Sequence, residues 1–476
     1  MNRRFLMAAA ACLALAAATL LIPSAPTTDP WGWIVWGREI AHLKLDTAIG
    51  GAPSWKPLPV LFTTPLSVFG AAAPSLWLVV ARAGGLLGLV AAYTVGSRLA
   101  GRYAGALAAV GLLLSAHLTR AFLHGYSEPL AIALLLFAVE RHWSGRERQA
   151  LVLMAGVSLA RPEAFALVLA YALLMWWRSR LDVWTAAAAA VAVPALWVVP
   201  DWIGSGNALH GSHVASAVEA HGPAATLHAA GRGLAIAPVP LSLGAVAGFA
   251  IARRAGDRRT LDLSMVAAAW ALLLVGLMAA GYPASGRFFV LPAALVCVLG
   301  AAGTVRAIEL TGSRRLAAVA ALVSLPLLVP RVVMTGSEAD DSVERAQVEA
   351  GLAKAIAEVG PRRVRSCGVP VLPRGLSWLR GDVAWRLGVS IARVRSVQTT
   401  GDGYIASLSR YGDGAAPARV TVGSREGPFT VLDPFGSTRL RLASRAAALE
   451  VAGGDGRWRV LLPDRRGCGR VPTRAA

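Results

Sequence analysis

Charge is scarce in this sequence. Of its 476 residues only 16% are charged, against about 25% in soluble domains. By contrast, 55% are hydrophobic and the mean hydropathy is +0.55. That balance argues against an ordinary soluble enzyme, and the apolar content excludes a disordered chain. Acid is scarcer than base: 27 Asp and Glu face 47 Lys and Arg, a formal charge of +20. Lysine is almost absent, at Lys44, Lys56 and Lys354 alone, an arginine bias that points to a GC-rich bacterial genome. Four cysteines exclude a disulfide-rich scaffold, and 49 glycines without a period exclude a collagenous one. Soluble-enzyme motifs are missing too: there is no P-loop, His-Glu-x-x-His, Gly-x-Ser-x-Gly, Cys-x-x-Cys or dinucleotide fingerprint.

What the sequence has is long apolar blocks. A bilayer-spanning helix needs about 20 apolar residues, with a range of roughly 17–25. Eleven candidates can be read: Phe5–Ile22, Ser75–Val95, Ala104–Leu118, Glu128–Val139, Ala150–Ala160, Phe165–Trp177, Val183–Trp202, Leu234–Ala252, Leu263–Gly281, Phe288–Val305 and Leu316–Val333. The fourth to sixth are short by this rule. Phe5–Ile22 reads as an uncleaved first helix, being longer than the 7–15 residues usual in a signal peptide. The fold class is therefore mainly α, a polytopic helical membrane bundle over residues 1–334. Residues 335–476 have the composition of a soluble α/β or α+β domain.

Arginine placement orients the bundle. With the N-terminus in the cytoplasm, the inside segments hold sixteen basic residues and the longer outside loops before the tail hold seven. The positive-inside rule accounts for this asymmetry, and for the high charge without any nucleic-acid partner. The protein is then expected in the plasma membrane, with both the long first loop, 23–74, and the C-terminal domain outside. That loop carries Trp31, Trp33, Trp36 and Trp55, which read mostly as interfacial belt residues. Trp31–Leu43 has the spacing of a helix lying on the membrane surface. In the tail, Ser342–Val359 reads as an amphipathic helix, and Val364–Val371, Ala418–Val422, Phe429–Leu432 and Trp458–Leu462 as strands. Cys367 and Cys468 suit a disulfide in an oxidising compartment, with two buried thiols as the alternative. Cys12 and Cys297 read as packing residues in spans.

Ionisable residues gather at the outer ends of different spans: Asp29, Lys56, Arg120, Glu128, Arg161, Glu163 and Arg287. Charges at such depth are costly and usually face a cavity or each other. A carboxylate suits the role of base toward a hydroxyl, and arginines suit a phosphate. Taken singly, each also fits a solvated helix end or a structural ion pair. The histidines are scattered, and His117 and His124 have no zinc spacing.

Four local patterns resemble the GT-C glycosyltransferases, multi-spanning enzymes that take sugars from polyprenyl-phosphate carriers. Thr28-Asp29-Pro30-Trp31 follows the first span, where that family keeps an aspartate. Ser54-Trp55-Lys56-Pro57-Leu58-Pro59 is similar to its Lys-Pro-Pro-Leu stretch, with Leu58 in place of the second proline. Gly125-Tyr126-Ser127-Glu128-Pro129-Leu130 and Ala160-Arg161-Pro162-Glu163 resemble its Ser/Thr-Glu-Pro-Leu and Thr-Arg-Pro-Glu pair. Gly286-Arg287-Phe288-Phe289, leading to Leu291-Pro292, resembles its Arg-Tyr-Leu-Leu-Pro stretch. The likeness covers about residues 1–334 and does not extend to the tail.

The resemblance implies a polyprenyl-phosphate-sugar donor and a cell-envelope glycan, lipid or protein acceptor. It implies Asp29 as general base, Arg287 on the donor phosphate, Glu128 orienting the acceptor or a cation, and Lys56, Arg161 and Glu163 lining the same cavity. One displacement on a β-linked carrier would invert the anomeric centre. No outside loop carries Asp-x-Asp, which leaves the need for a divalent cation open. A lipid transporter or flippase would instead show inverted repeats and midplane charges, and no clear repeat is visible. A non-catalytic scaffold presenting the tail is the third reading.

Overall fold

The computed structural model describes residues 3–218 and 220–397, and beyond them the segments 399–400, 419–422, 429–434, 439–442, 449–454 and 458–463. The chain opens with helices α1 (Arg3–Ala18), α2 (Thr28–Ala41), α3 (Pro57–Leu66) and α4 (Ala73–Leu113). A bent pair follows, α5 (Leu118–His124) and α6 (Glu128–Trp143), then α7 (Glu147–Ala160), α8 (Phe165–Trp177), α9 (Val183–Ser205) and α10 (His210–Val218). The bundle continues through α11 (Pro223–Leu234), α12 (Val239–Ala255), α13 (Arg258–Ala279) and α14 (Val290–Thr311) to the long α15 (Arg314–Val359).

Every apolar segment of the sequence falls on a helix, but the span count differs from eleven. Among the described residues, five helices are long and apolar enough to cross a bilayer, or seven if each bent pair is one span. The segment Pro57–Leu113 contains two of the expected spans, because α4 breaks at Ala100 and Gly101, where Gly101 takes a φ of 77°. The other shortfalls are lengths. The 14 residues of α7 rise only about 21 Å at 1.5 Å each, below the roughly 30 Å of a hydrocarbon core. The fold is thus a mainly helical polytopic membrane bundle with five to seven candidate spans and a small extramembranous C-terminal part.

The centre of the bundle is α14, which is largely buried, against α4, α12 and α13. Glycine lets two of these helices touch. A β-carbon at Gly303 would collide with the backbone of Gly244 and Gly248, and one at Gly300 with Leu241. Small residues at such crossings let membrane helices pack closely, where van der Waals contact is the main attraction.

The C-terminal part begins on α15 itself, which runs unbroken across the expected boundary at 334/335. Its first half exposes Leu322, Val323, Leu325 and Val332, while its second half buries Val348, Leu352, Ala355 and Ile356. Helix α16 (Pro361–Cys367) occupies the first half of the expected strand 364–371, and only β1 (Val369–Pro373) is extended. Gly360, at φ 92°, and Pro361 at the start of the helix favour this turn. Val364 and Cys367 then face inward one turn apart. After α17 (Arg380–Leu387) come β2 (Arg395–Val397), β3 (Thr399–Thr400), β4 (Arg419–Val422), β5 (Phe429–Pro434), β6 (Arg439–Leu442), β7 (Leu449–Gly454) and β8 (Trp458–Pro463). The main sheet is mixed, in the order β2-β1-β5-β8-β7, with β1 parallel to both of its neighbours and the β5-β8 and β8-β7 pairs antiparallel. Cys367 is disulfide-bonded, and Cys468 lies outside the described residues.

The first loop is packed between the bundle and this domain. Helix α2 forms where expected, but ten of its residues are buried, so it does not lie on a membrane surface. Its tryptophans are core, not belt. Trp31, Trp33, Trp36 and Trp55 are all buried. Trp33 donates to Ser54 O at 2.9 Å and Trp36 to Asp46 O at 3.0 Å, as buried indoles usually require.

Candidate active site

Asp29 sits in the first turn of α2, where the helix dipole favours a negative charge. It is 6% exposed. The Ser54 backbone N–H donates to its Oδ1 at 3.2 Å, and the Ser54 hydroxyl reaches Oδ2 at 3.5 Å. Arg287 Nη1 lies 3.7 Å from Asp29 Oδ2. Arg287 is on the short 3-10 turn Gly286–Phe289 that leads into α14, and its side chain is 37% exposed. The first and the tenth expected spans therefore bring their polar ends together.

A second group adjoins the first. Glu128 begins α6, where the 114° bend after α5 turns the chain. Arg161, at the end of α7, donates from Nη2 to Glu128 Oε1 at 2.5 Å and to Arg287 O at 3.4 Å. Its Nη1 is 3.9 Å from Glu163 Oε1. Lys56 Nζ donates to Ser127 Oγ at 3.2 Å and lies 3.8 Å from Glu128 Oε1. Lys56, Glu128, Arg161 and Glu163 are all buried. Burial pulls the Lys56 ammonium down to about 8, against the upward pull of Glu128. The Arg161 and Arg287 guanidiniums both lie over the ring of Phe288, at 5.3 and 5.8 Å. Two carboxylate oxygens, Glu128 Oε2 and Glu163 Oε1, are buried with no hydrogen-bond partner.

A cavity of ≈ 340 Å³ opens beside these groups, lined by Arg120, Arg232, Arg287, His117, Tyr126 and Glu128 among others. His117 takes a left-handed φ of 67° at its edge, a conformation uncommon outside glycine. Burial, Arg232 and Arg120 lower its pKa. The seven ionisable residues picked out in the sequence thus lie at one end of the bundle. Sequence reasoning passed over Ser54 and Ser127, which sit inside the quoted motifs but carry no charge. Tyr282, whose hydroxyl donates to Glu163 Oε2 at 3.5 Å, carries no charge either. Arg232 was counted only for orientation. Arg82 was missed as well. It is fully buried and donates to Phe122 O, Leu123 O and Thr19 O, tying the bend before Glu128 to the first helix.

Among the described residues no three His, Cys, Asp or Glu converge as ligands. Lys56 and Arg161 both pair with Glu128 Oε1.

No family model matches the chain, and no curated protein matches it by sequence. Solved structures do match. ArnT from Cupriavidus metallidurans bound to undecaprenyl phosphate aligns with a TM-score of 0.54 at 13% identity, covering 97% of this chain and 98% of that one. Its apo state gives 0.52, also at 13% identity, over 96% and 97%. The Archaeoglobus fulgidus oligosaccharyltransferase in complex with Zn and sulfate gives 0.51 at 13% identity, over 81% of this chain and 62% of that one. The chain therefore spans less than two thirds of that enzyme's length. At such identity the likeness is one of fold, shared with these two membrane proteins.

Proposed function

We propose that this chain is a membrane glycosyltransferase that moves a sugar from a polyprenyl-phosphate carrier to an acceptor hydroxyl in the bacterial cell envelope. One observation carries the reading: a buried carboxylate, Asp29, lies 3.7 Å from the guanidinium of Arg287, which also lines a cavity flanked by Arg120 and Arg232. That pairing supports a reading in which Asp29 serves as base and Arg287 as phosphate-binding cation on one sugar–phosphate. A fold neighbour bound to undecaprenyl phosphate supports the same donor class.

The chemistry follows from the groups. Asp29 accepts the proton of the acceptor hydroxyl, and Ser54 holds the carboxylate in place. The hydroxyl oxygen bonds to the anomeric carbon as the bond from that carbon to the carrier phosphate breaks, so the centre inverts. The electron pair leaves on phosphate, whose charge grows from one to two negative. Arg287 meets that growing charge, with Arg120 and Arg232 close by, and fixed cations there favour the transition state over the ground state. The open oxygen of Glu128 orients the acceptor, while Lys56, Arg161 and Glu163 hold Glu128 and Arg287 in register.

Orientation rests on the arginine asymmetry, with the N-terminus cytoplasmic and Asp29 and the tail outside. A reporter fused after Ala476 that matures only outside the cytoplasm should be active, and cytoplasmic activity there would overturn the assignment. The function is tested in membranes containing the full chain and their own acceptors, supplied with undecaprenyl-phosphate-linked mannose, arabinose or aminoarabinose. Asp29→Asn keeps size and polarity but cannot take the proton, so transfer should fall by roughly 10²–10⁴. Near-normal transfer by that variant would end the general-base role.

A further inference from the structure

The C-terminal domain holds the helix that carries Asp29 at both ends. Near the start of α2, Trp31 lies two residues from Asp29, and its Nε1 donates to Glu349 Oε1 at 3.1 Å. Both side chains are buried. Gly381, at the start of α17, presses on Trp31 so closely that a β-carbon there would collide with it. At the far end of α2, Arg38 donates to Trp385 O at 3.0 Å and Val389 O at 2.7 Å. It thereby caps the C-terminal turn of α17, and it lies over the Trp385 ring at 5.1 Å. Just beyond α2, Ser390 donates to Asp46 Oδ2 at 2.5 Å. Trp458 in β8 donates to Val348 O at 3.1 Å, fixing the sheet against the residue before Glu349.

Of these hydrogen bonds, the one from Trp31 to Glu349 is the nearest in sequence to Asp29. A tryptophan needs no buried carboxylate for packing alone, and burying one is costly unless it is well satisfied. The contact also crosses 318 residues of sequence. We infer that Glu349 is a positioning residue: through Trp31 it fixes the first turn of α2 and so aims Asp29 at Arg287, which makes the C-terminal domain a working part of the active site. The inference rests on the proposed role of Asp29. A misplacement of about 1 Å can cost on the order of 10²-fold in rate, so one such tie is enough to matter.

Two measurements test it in the full chain. In the transfer assay, Glu349→Leu should lower kcat by about 10–100-fold and leave the donor KM within about twofold. Glu349→Gln keeps an acceptor oxygen for the indole and should restore kcat to within about threefold of the parent. Trp31→Phe keeps the ring and loses the N–H, so it should match Glu349→Leu, and the double variant should be no worse than either alone. A folded Glu349→Leu chain with parental kcat overturns the proposal, as does a loss that Glu349→Gln fails to rescue. The second measurement needs no turnover. In an Asp29→Cys chain, labelling of residue 29 by a membrane-impermeant maleimide should quicken several-fold when Glu349→Leu is added. Trp31→Phe carries the same test should Glu349→Leu fail to fold, and unchanged labelling with both overturns the proposal. If Asp29→Asn transfers normally, the base assignment fails, while the labelling still decides whether Glu349 positions residue 29.

Discussion

Glu128 and Glu140 stand at opposite ends of α6, and their surroundings differ. Both Glu140 oxygens are used: Arg98 donates to Oε1 at 2.6 Å, Ser144 to the same oxygen at 3.0 Å, and Arg141 to Oε2. Asp257, at the same end of the bundle, caps α13 through the N–H groups of Arg259 and Thr260 and accepts from Arg306 at 2.5 Å. Nothing is left over on either carboxylate. At the other end, Glu128 and Glu163 each keep a buried oxygen without a hydrogen-bond partner, and three of the ion pairs run from 3.7 to 3.9 Å. A cavity lies beside them. Glu140 and Asp257 are saturated, whereas Glu128 and Glu163 retain capacity for a further molecule.

Substitutions should separate the two ends, with the largest effect at Glu128. Glu128→Ala strands Arg161 and Lys56 in a buried site, and breaking a buried pair this way costs about 3–5 kcal/mol. A thermal unfolding scan of the protein in detergent should show that loss along with lost transfer. Parental stability would mean that solvent reaches the pair. Next comes Arg287→Ala, which removes a charged donor worth about 1.5–3 kcal/mol. Donor KM and kcat should both worsen, by roughly 10–100-fold in kcat/KM. A change in kcat alone would move the phosphate away from Arg287.

A smaller effect is expected from pH at Lys56. Its folded pKa of about 8 lies below the roughly 10.4 of a free lysine. Between those values the unfolded chain binds more protons, so this group's contribution to stability increases as pH rises through that window. Transfer should move the other way, because above about pH 8 the ammonium that pairs with Glu128 is lost. Lys56→Met should abolish that alkaline limb of the rate profile, and a limb that persists would assign it elsewhere. The smallest effect belongs to the opposite end. Arg98→Ala leaves Glu140 paired with Arg141, so it should cost no more than about 1 kcal/mol and leave transfer unchanged. Transfer lost in Arg98→Ala would blur the contrast between the ends.

Much of this site was legible because charge is rare in an apolar chain. Asp29, Glu128, Arg161 and Arg287 stand out at the ends of hydrophobic runs, and the structure brings those ends together. Ser54, Ser127 and Tyr282 did not stand out, since neutral polar residues carry no such signal. The tryptophans of the first loop were misread for a physical reason. Hydropathy records that Trp31 and Trp33 avoid water, but not whether lipid or protein covers them. Trp33 is covered by Trp77 of α4, and Trp31 by the C-terminal domain through its contacts to Glu349 and Gly381, which no local pattern encodes. The span count suffered similarly, because apolar runs mark helices but not whether each crosses the bilayer. Helix α16 was read as a strand because its valine and cysteine fit either period over so few residues.

The central claim is that Asp29 and Arg287 act on one sugar–phosphate. A cryo-electron microscopy structure of the full chain in lipid nanodiscs with undecaprenyl phosphate tests it most directly. The account predicts phosphate density within about 3 Å of the Arg287 guanidinium, in the cavity shared with Arg120 and Arg232 and open toward Asp29. Phosphate bound out of reach of Arg287, with that cavity left empty, would contradict it.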